Sequence, residues 1–166
     1  MKKLVATLLI CFYGIGGLLG LWLFFDENLK NGNEHRIVAT EAETIKKDLS
    51  EEDMELLART VYGEARGESF EGQVAVAAVI VNRMEHPEFP DEVEKIIYEP
   101  LAFTAVADGQ INLGYDEQAY EAVKAALAGQ DPSGGALYYY NPEKSTSKWI
   151  WSRQVIKRIG KHTFAI

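Results

Sequence analysis

The chain has 166 residues, 47% of them hydrophobic and 25% charged, which is the composition of one globular domain with an appendage rather than of a disordered polymer. Residues 1–25 hold Lys2 and Lys3 and no acid, so residues 26–166 carry 15 basic residues against 25 acidic ones, a net charge of −10. That balance argues against nucleic-acid binding, which needs a basic face to displace counterions; a glycan, recognised through hydrogen bonds and apolar contact, stays open. The sole cysteine, Cys11, lies in the amino-terminal apolar segment, so the rest of the chain has neither a disulfide nor a thiolate metal site.

Residues 4–25, "LVATLLICFYGIGGLLGLWLFF", run for 22 positions without a charge. A helix of that length covers the roughly 30 Å hydrocarbon core of a bilayer. Lys2 and Lys3 ahead of it predict an inside amino terminus and an extracytoplasmic carboxyl-terminal domain. Leu-Trp-Leu-Phe-Phe leads straight into Asp26-Glu27 with no small-residue cleavage site, so a retained single-pass membrane anchor is expected. The alternative is secretion after signal cleavage. Ile10 before Cys11 is too bulky for a lipidation box, and the Gly16–Gly20 spacing reads as ordinary membrane-helix glycine content. Residues 26–48 are polar and aperiodic, a tether ahead of a domain spanning residues 49–166.

Ser50 followed by Glu51, Glu52 and Asp53 predicts a helix start, a hydroxyl cap and then acids on the positive end of the dipole. Met54, Leu57, Ala58 and Val61 form one apolar face, and the helix should fade between Gly63 and Gly67. A second helix is expected over Glu71–Met84, where "VAVAAVIV" is apolar on every side and marks a central core helix. Asp91–Tyr98 reads as a short helix between Pro90 and Pro100. Asp116–Leu127 reads as another, with Ala119, Tyr120, Val123, Ala126 and Leu127 inward and Gly129 as its stop. "ALYYYNP" has strand character, while "KWIWSR" and "VIKRIGKHTFAI" suggest short strands and loops. The class is α+β, mostly helical with a small sheet.

Cysteine nucleophiles are absent from the globular part. His35, His86 and His162 are far apart and none forms an H-x-x-x-H pair, so neither a metal nor any other cofactor is expected. No serine sits in a G-x-S-x-G elbow. Carboxylate chemistry remains. Cleaving a glycosidic bond needs a protonated acid, its pKa raised by an apolar setting. Glu64 in "YGEARGESFEG" fits: it lies near a helix carboxyl end, beside Tyr62, before the most apolar run of the domain. The bland alternative is a capping or salt-bridged glutamate. Glu68 would share its face only if the helix continued through Gly67. Tyr138, Tyr139, Tyr140, Trp149 and Trp151 crowd together among Asn141, Ser147, Ser152 and Arg153. Flat rings beside polar groups suit a sugar polymer, and strand alternation suggests that about half of them line a groove.

The stretches "ARTVYGEARGESFEGQVAVAAVIVNR", "EPLAFTAVADGQI", "YYYNPEKSTSKWIWSR" and "IGKHTF" closely resemble the catalytic domain of the SleB/CwlJ family of cell-wall hydrolases, over roughly Leu56 to Phe164. The resemblance implies a lysozyme-like, goose-type fold that cuts the glycan strand of peptidoglycan, with Glu64 as catalytic acid. In the SleB branch it implies lytic transglycosylation, which leaves a 1,6-anhydro-muramic acid end. Tyr62, Glu68, Phe103, Tyr139, Asn141, Trp149, Trp151 and Arg153 are the candidate substrate-binding residues. The expected partners are peptidoglycan, of cortex or vegetative wall, and the membrane through residues 4–25. An accessory germination protein has no signature in the sequence. Two other activities are open: a zinc-dependent N-acetylmuramoyl-L-alanine amidase, which the scattered histidines disfavour, and a wall-binding module that does not cut.

Overall fold

The computed structural model describes residues 49–166. The anchor expected over residues 4–25, the tether, Cys11 and His35 lie outside the described residues. Among the described residues no helix is long and apolar enough to cross a membrane.

Helix α1 spans Glu51–Ala65 and opens with a reciprocal cap. Ser50 Oγ accepts from the Asp53 N–H at 3.1 Å, and Asp53 Oδ2 accepts from the Ser50 N–H at 3.0 Å. The two bonds satisfy amides that a helix start leaves free. Leu57, Ala58, Thr60, Val61 and Ala65 are buried. The helix ends where the glycines predict, because Gly67 takes φ +86° and turns the chain away. Helix α2, Phe70–Glu85, follows under a Ser69 cap. Every residue from Gly72 to Ile80 is buried. α2 is therefore the all-round apolar centre expected of "VAVAAVIV", packed against both α1 and the later helix α5, which also touch each other.

Two short helices come next: α3, Val93–Ile97, and α4, Thr104–Ala107. A 3-10 turn over Gln110–Leu113 then leads to α5, Glu117–Leu127, capped by Asp116. Ala119, Val123, Ala126 and Leu127 face inward as expected, joined by Ala122. Tyr120 is only half-buried, because its hydroxyl reaches out to donate to Glu51 Oε1 at 3.1 Å.

The sheet has three short antiparallel strands, β1 (Tyr138–Tyr140), β2 (Val155–Ile159) and β3 (His162–Ala165), in the order β1-β3-β2. Tyr139 pairs with Phe164 and Tyr140 with Thr163, and Ile159 pairs with His162 across the β2–β3 turn. The tail is thus a hairpin, with strands as the sequence suggests. "KWIWSR" departs from expectation. It forms a one-turn helix, α6, over Lys148–Trp151, because Ser147 caps it and Ile150 alone is drawn into the core.

The loop from α5 to β1 is bound to the end of α2. Asp131 accepts from the Gly135 N–H at 2.6 Å and from Asn82 Nδ2 at 3.2 Å, and Asn82 Nδ2 also reaches the Ala136 carbonyl at 3.0 Å. Arg83 Nε donates to the Leu137 carbonyl at 2.8 Å. These bonds set where β1 begins, and hence where the three tyrosines stand.

Candidate active site

Glu64 is the penultimate residue of α1, where the carboxyl-terminal end of the dipole already disfavours a negative charge. Its Oε1 accepts from the Ala105 N–H, at the start of α4, at 2.6 Å. Burial pushes the carboxyl above its ordinary value, and the charge of Asp108 adds to the rise. The amides of Ala105 and Thr104 and the Tyr139 hydroxyl pull the other way and lose. The Tyr139 oxygen lies next to the carboxyl but makes no hydrogen bond of ordinary geometry. Burial, then the neighbouring Glu64, holds the Tyr139 phenol well above its usual pKa, so it is a neutral donor.

The close approach of α4 to α1 depends on Gly63. A Cβ there would lie 2.6 Å from Ala105 Cβ, inside any real carbon–carbon contact. The glycine before the acid therefore lets the Ala105 amide reach it.

Glu64 opens on a groove of about 1080 Å³. The groove receives Glu99 to Ala102 from the segment before α4, and Tyr138, Tyr139 and Tyr140 from β1. Of the residues singled out in the sequence, Glu64, Glu68, Tyr139, Asn141 and Trp149 line it. Four do not. Phe103 is only 2% exposed, its ring lying under the Arg83 guanidinium at 5.2 Å. Tyr62 sits beside Arg66, whose guanidinium is 5.8 Å from its ring. Trp151 packs on Tyr140 at 5.3 Å, and Arg153 stacks on Trp149 at 4.4 Å. The last two touch groove aromatics rather than line the groove themselves. All three tyrosines and Trp149 line it, more than the half expected from alternation.

Glu68 has a second task. Its side chain is 9% exposed, and its Oε2 accepts from the Lys161 N–H at 3.2 Å, with the Lys161 ammonium 4.0 Å from Oε1. A Cβ on Gly160 would collide with that carboxylate, so the glycine and the glutamate together fix the β2–β3 turn beside the groove.

Arg83 and His162 are among the groove residues that were not recognised in the sequence. Arg83 is buried among Phe89, Phe103 and Tyr138, with ring centres 5.2–5.6 Å from its guanidinium, and burial lowers its pKa. An arginine ending an otherwise apolar helix was the signal available, since a buried cation needs dedicated partners. His162 stands edge-on to Tyr139 at 5.3 Å, with a buried Nδ1 that has no hydrogen bond. Burial lowers its pKa. Among the described residues no group of three or more histidine, cysteine, aspartate or glutamate side chains could hold a metal ion.

A buried acid of raised pKa thus stands beside an aromatic-lined groove on a mostly helical scaffold. The model of the cell wall hydrolase family matches residues 67–165, beginning just past Glu64. The chain belongs to the cell wall hydrolase family, a family of enzymes. Among its relatives, the spore cortex-lytic enzyme of Halalkalibacterium halodurans is 66% identical over 115 residues, which is 69% of this chain and 35% of that protein. The spore cortex-lytic enzyme of Bacillus subtilis is 63% identical over 115 residues, 69% of this chain and 38% of that protein. The chain thus spans little more than a third of the length of these relatives. In three dimensions it is similar to the catalytic domain of the germination-specific lytic transglycosylase SleB from Bacillus anthracis. The TM-score is 0.69 at 56% identity, over 72% of this chain and 98% of that one.

Proposed function

We propose that the chain cleaves the glycan strand of peptidoglycan as a lytic transglycosylase, with Glu64 first as general acid and then as general base. The observation that carries this reading is the burial of Glu64, which raises its pKa at the groove. With Oε1 accepting from Ala105, Oε2 is left to carry the proton. Glu64 gives that proton to the bridging oxygen, and the C1–O bond of the muramic acid residue breaks. The carboxylate so formed keeps the Ala105 N–H and has the unbonded Tyr139 hydroxyl within reach as a second donor. It then takes the proton from the C6 hydroxyl of the same sugar as that oxygen bonds to C1. The 1,6-anhydro ring closes, Glu64 regains its proton and no water is consumed.

One carboxylate is enough for this route, whereas ordinary hydrolysis uses two. Glu68 lines the groove but is held by the Lys161 amide. Glu99 also lines it, so hydrolysis with Glu99 as base is the second reading. The membrane anchor belongs to the same proposal: residues 4–25 hold the domain on the outer face, against cortex or vegetative wall, a placement supported by their uncharged sequence.

The test is digestion of cortex and vegetative sacculi by the purified full-length chain, with mass spectrometry of the products. Anhydro ends are expected, and Glu64→Gln should slow their formation by about 10²–10⁴-fold, the usual worth of a positioned acid. Reducing ends alone would establish hydrolysis. No cleavage of either sacculus would overturn both readings.

A further inference from the structure

Between α3 and α4 the chain makes a turn over Glu99, Pro100, Leu101 and Ala102, closed by the Ala102 N–H on the Glu99 carbonyl at 3.0 Å. Leu101, at the third position, has φ +67° and is the one non-glycine residue with positive φ among the described residues. A turn that needs positive φ there ordinarily takes glycine or asparagine, because a Cβ crowds the backbone. Pro100 fixes the position before it, and buried Ile97 and Phe103 anchor the two ends. The surroundings thus impose the conformation. Leucine gains no packing in exchange, being 98% exposed. Singly exposed leucines are common on protein surfaces. This one is set apart because it is strained, fully exposed and part of the groove lining.

Trp149 enters the same groove from α6. It is 51% exposed, with Arg153 stacked 4.4 Å from its ring and Tyr138 against it at 5.1 Å. Leu101 belongs to the segment that leads to Ala105, and Trp149 packs on β1. Glu64 touches the backbone of the first and neighbours Tyr139 of the second. An apolar group is thus offered to the groove from the segment that leads to Ala105 and from α6, which packs on the strand beside the acid.

We infer that Leu101 is a substrate-gripping residue, held in the left-handed conformation so that its methyl groups contact a sugar of the bound strand. The chemistry it fits is an N-acetylated hexosamine glycan, through the C–H face of a pyranose ring or an acetamido or lactyl methyl group. Trp149 supplies the second apolar contact. The assignment rests on the proposed glycan cleavage, and two readouts keep the fates of the two ideas apart.

The first is kinetics of the full-length chain on solubilised glycan strands. Leu101→Gly removes both side chain and strain, Leu101→Asn keeps the left-handed turn with a polar group, and Leu101→Met keeps an apolar group. Gly and Asn should raise KM about tenfold, the order expected when a largely covered leucine contact is lost, with a smaller change in kcat. Met should restore KM to within about threefold of wild type. Tm should hold or rise in Gly and Asn, whereas a purely structural leucine would lower it. Wild-type KM in Gly and Asn overturns the inference. The second readout is co-sedimentation of Glu64→Gln with sacculi, with and without Leu101→Gly. Weakened binding in a chain whose wild type does not cut would sink the proposed activity and leave the grip standing. Cleavage with binding indifferent to Leu101 would do the reverse.

Discussion

A carboxyl at the carboxyl-terminal end of a helix, covered by α4 and β1, is disfavoured each time it ionises. For Glu64 that follows from burial first and the charge of Asp108 after it. The sign of its effect on stability is fixed. An acid whose folded pKa is raised contributes fully below its ordinary value of 4.5, and the contribution is lost as pH rises through the raised value. Glu64→Gln keeps an acceptor for the Ala105 amide and removes the charge. Its Tm should match wild type below the ordinary carboxyl value, exceed it by a growing margin as pH rises through the raised value, and keep a constant margin above that. Parallel Tm curves across that range would mean that the carboxyl titrates as if in water. The setting of Glu64 was legible in the sequence, because a helix end, flanking glycines and an adjoining apolar run are neighbours in the chain. Arg83 was not, since its three rings come from Phe89, Phe103 and Tyr138, and only folding brings them together.

The three long helices that the sequence foretold have their own start signals. Ser50, Ser69 and Asp116 each accept from an amide two or three positions into the helix that follows, and such caps need nothing from elsewhere. α4, the 3-10 turn and α6 are four residues each, too short to show a periodic face or to be stable alone. Packing holds them. The seam between α1 and α4 shows how little room is left. Gly63→Ala would set a methyl 2.6 Å from Ala105 Cβ, driving the Ala105 amide away from Glu64. The expected loss is about 1–3 kcal/mol of stability, typical of overpacking, and kcat should fall at temperatures where the variant is fully folded. Urea unfolding and steady-state rates would measure the two separately. Unchanged kcat in folded Gly63→Ala would show that the amide bond to Glu64 is dispensable.

Across the whole domain, the last strand of the chain is the middle strand of the sheet. Phe164, fully buried on β3, pairs with Tyr139 and packs against its ring at 6.1 Å. The wall of the groove therefore depends on residues at the far end of the sequence from α1. Phe164→Ala should destabilise the domain by about 3–5 kcal/mol, as large buried aromatics do, and denaturant titration followed by circular dichroism would read it. A loss under about 1 kcal/mol would mean that the sheet stands without that ring.

The sequence by itself determined the capped helices, the apolar centre of α2 and the helix-end position of Glu64, since each rests on neighbours within a few positions along the chain. Only the tertiary structure decided which aromatics face the groove, that Phe103 lies beneath Arg83, that Glu68 holds a turn, and that Leu101 stands strained in the groove lining. Burial and charge at one point in space are sums over segments distant in sequence, and no local pattern carries such a sum.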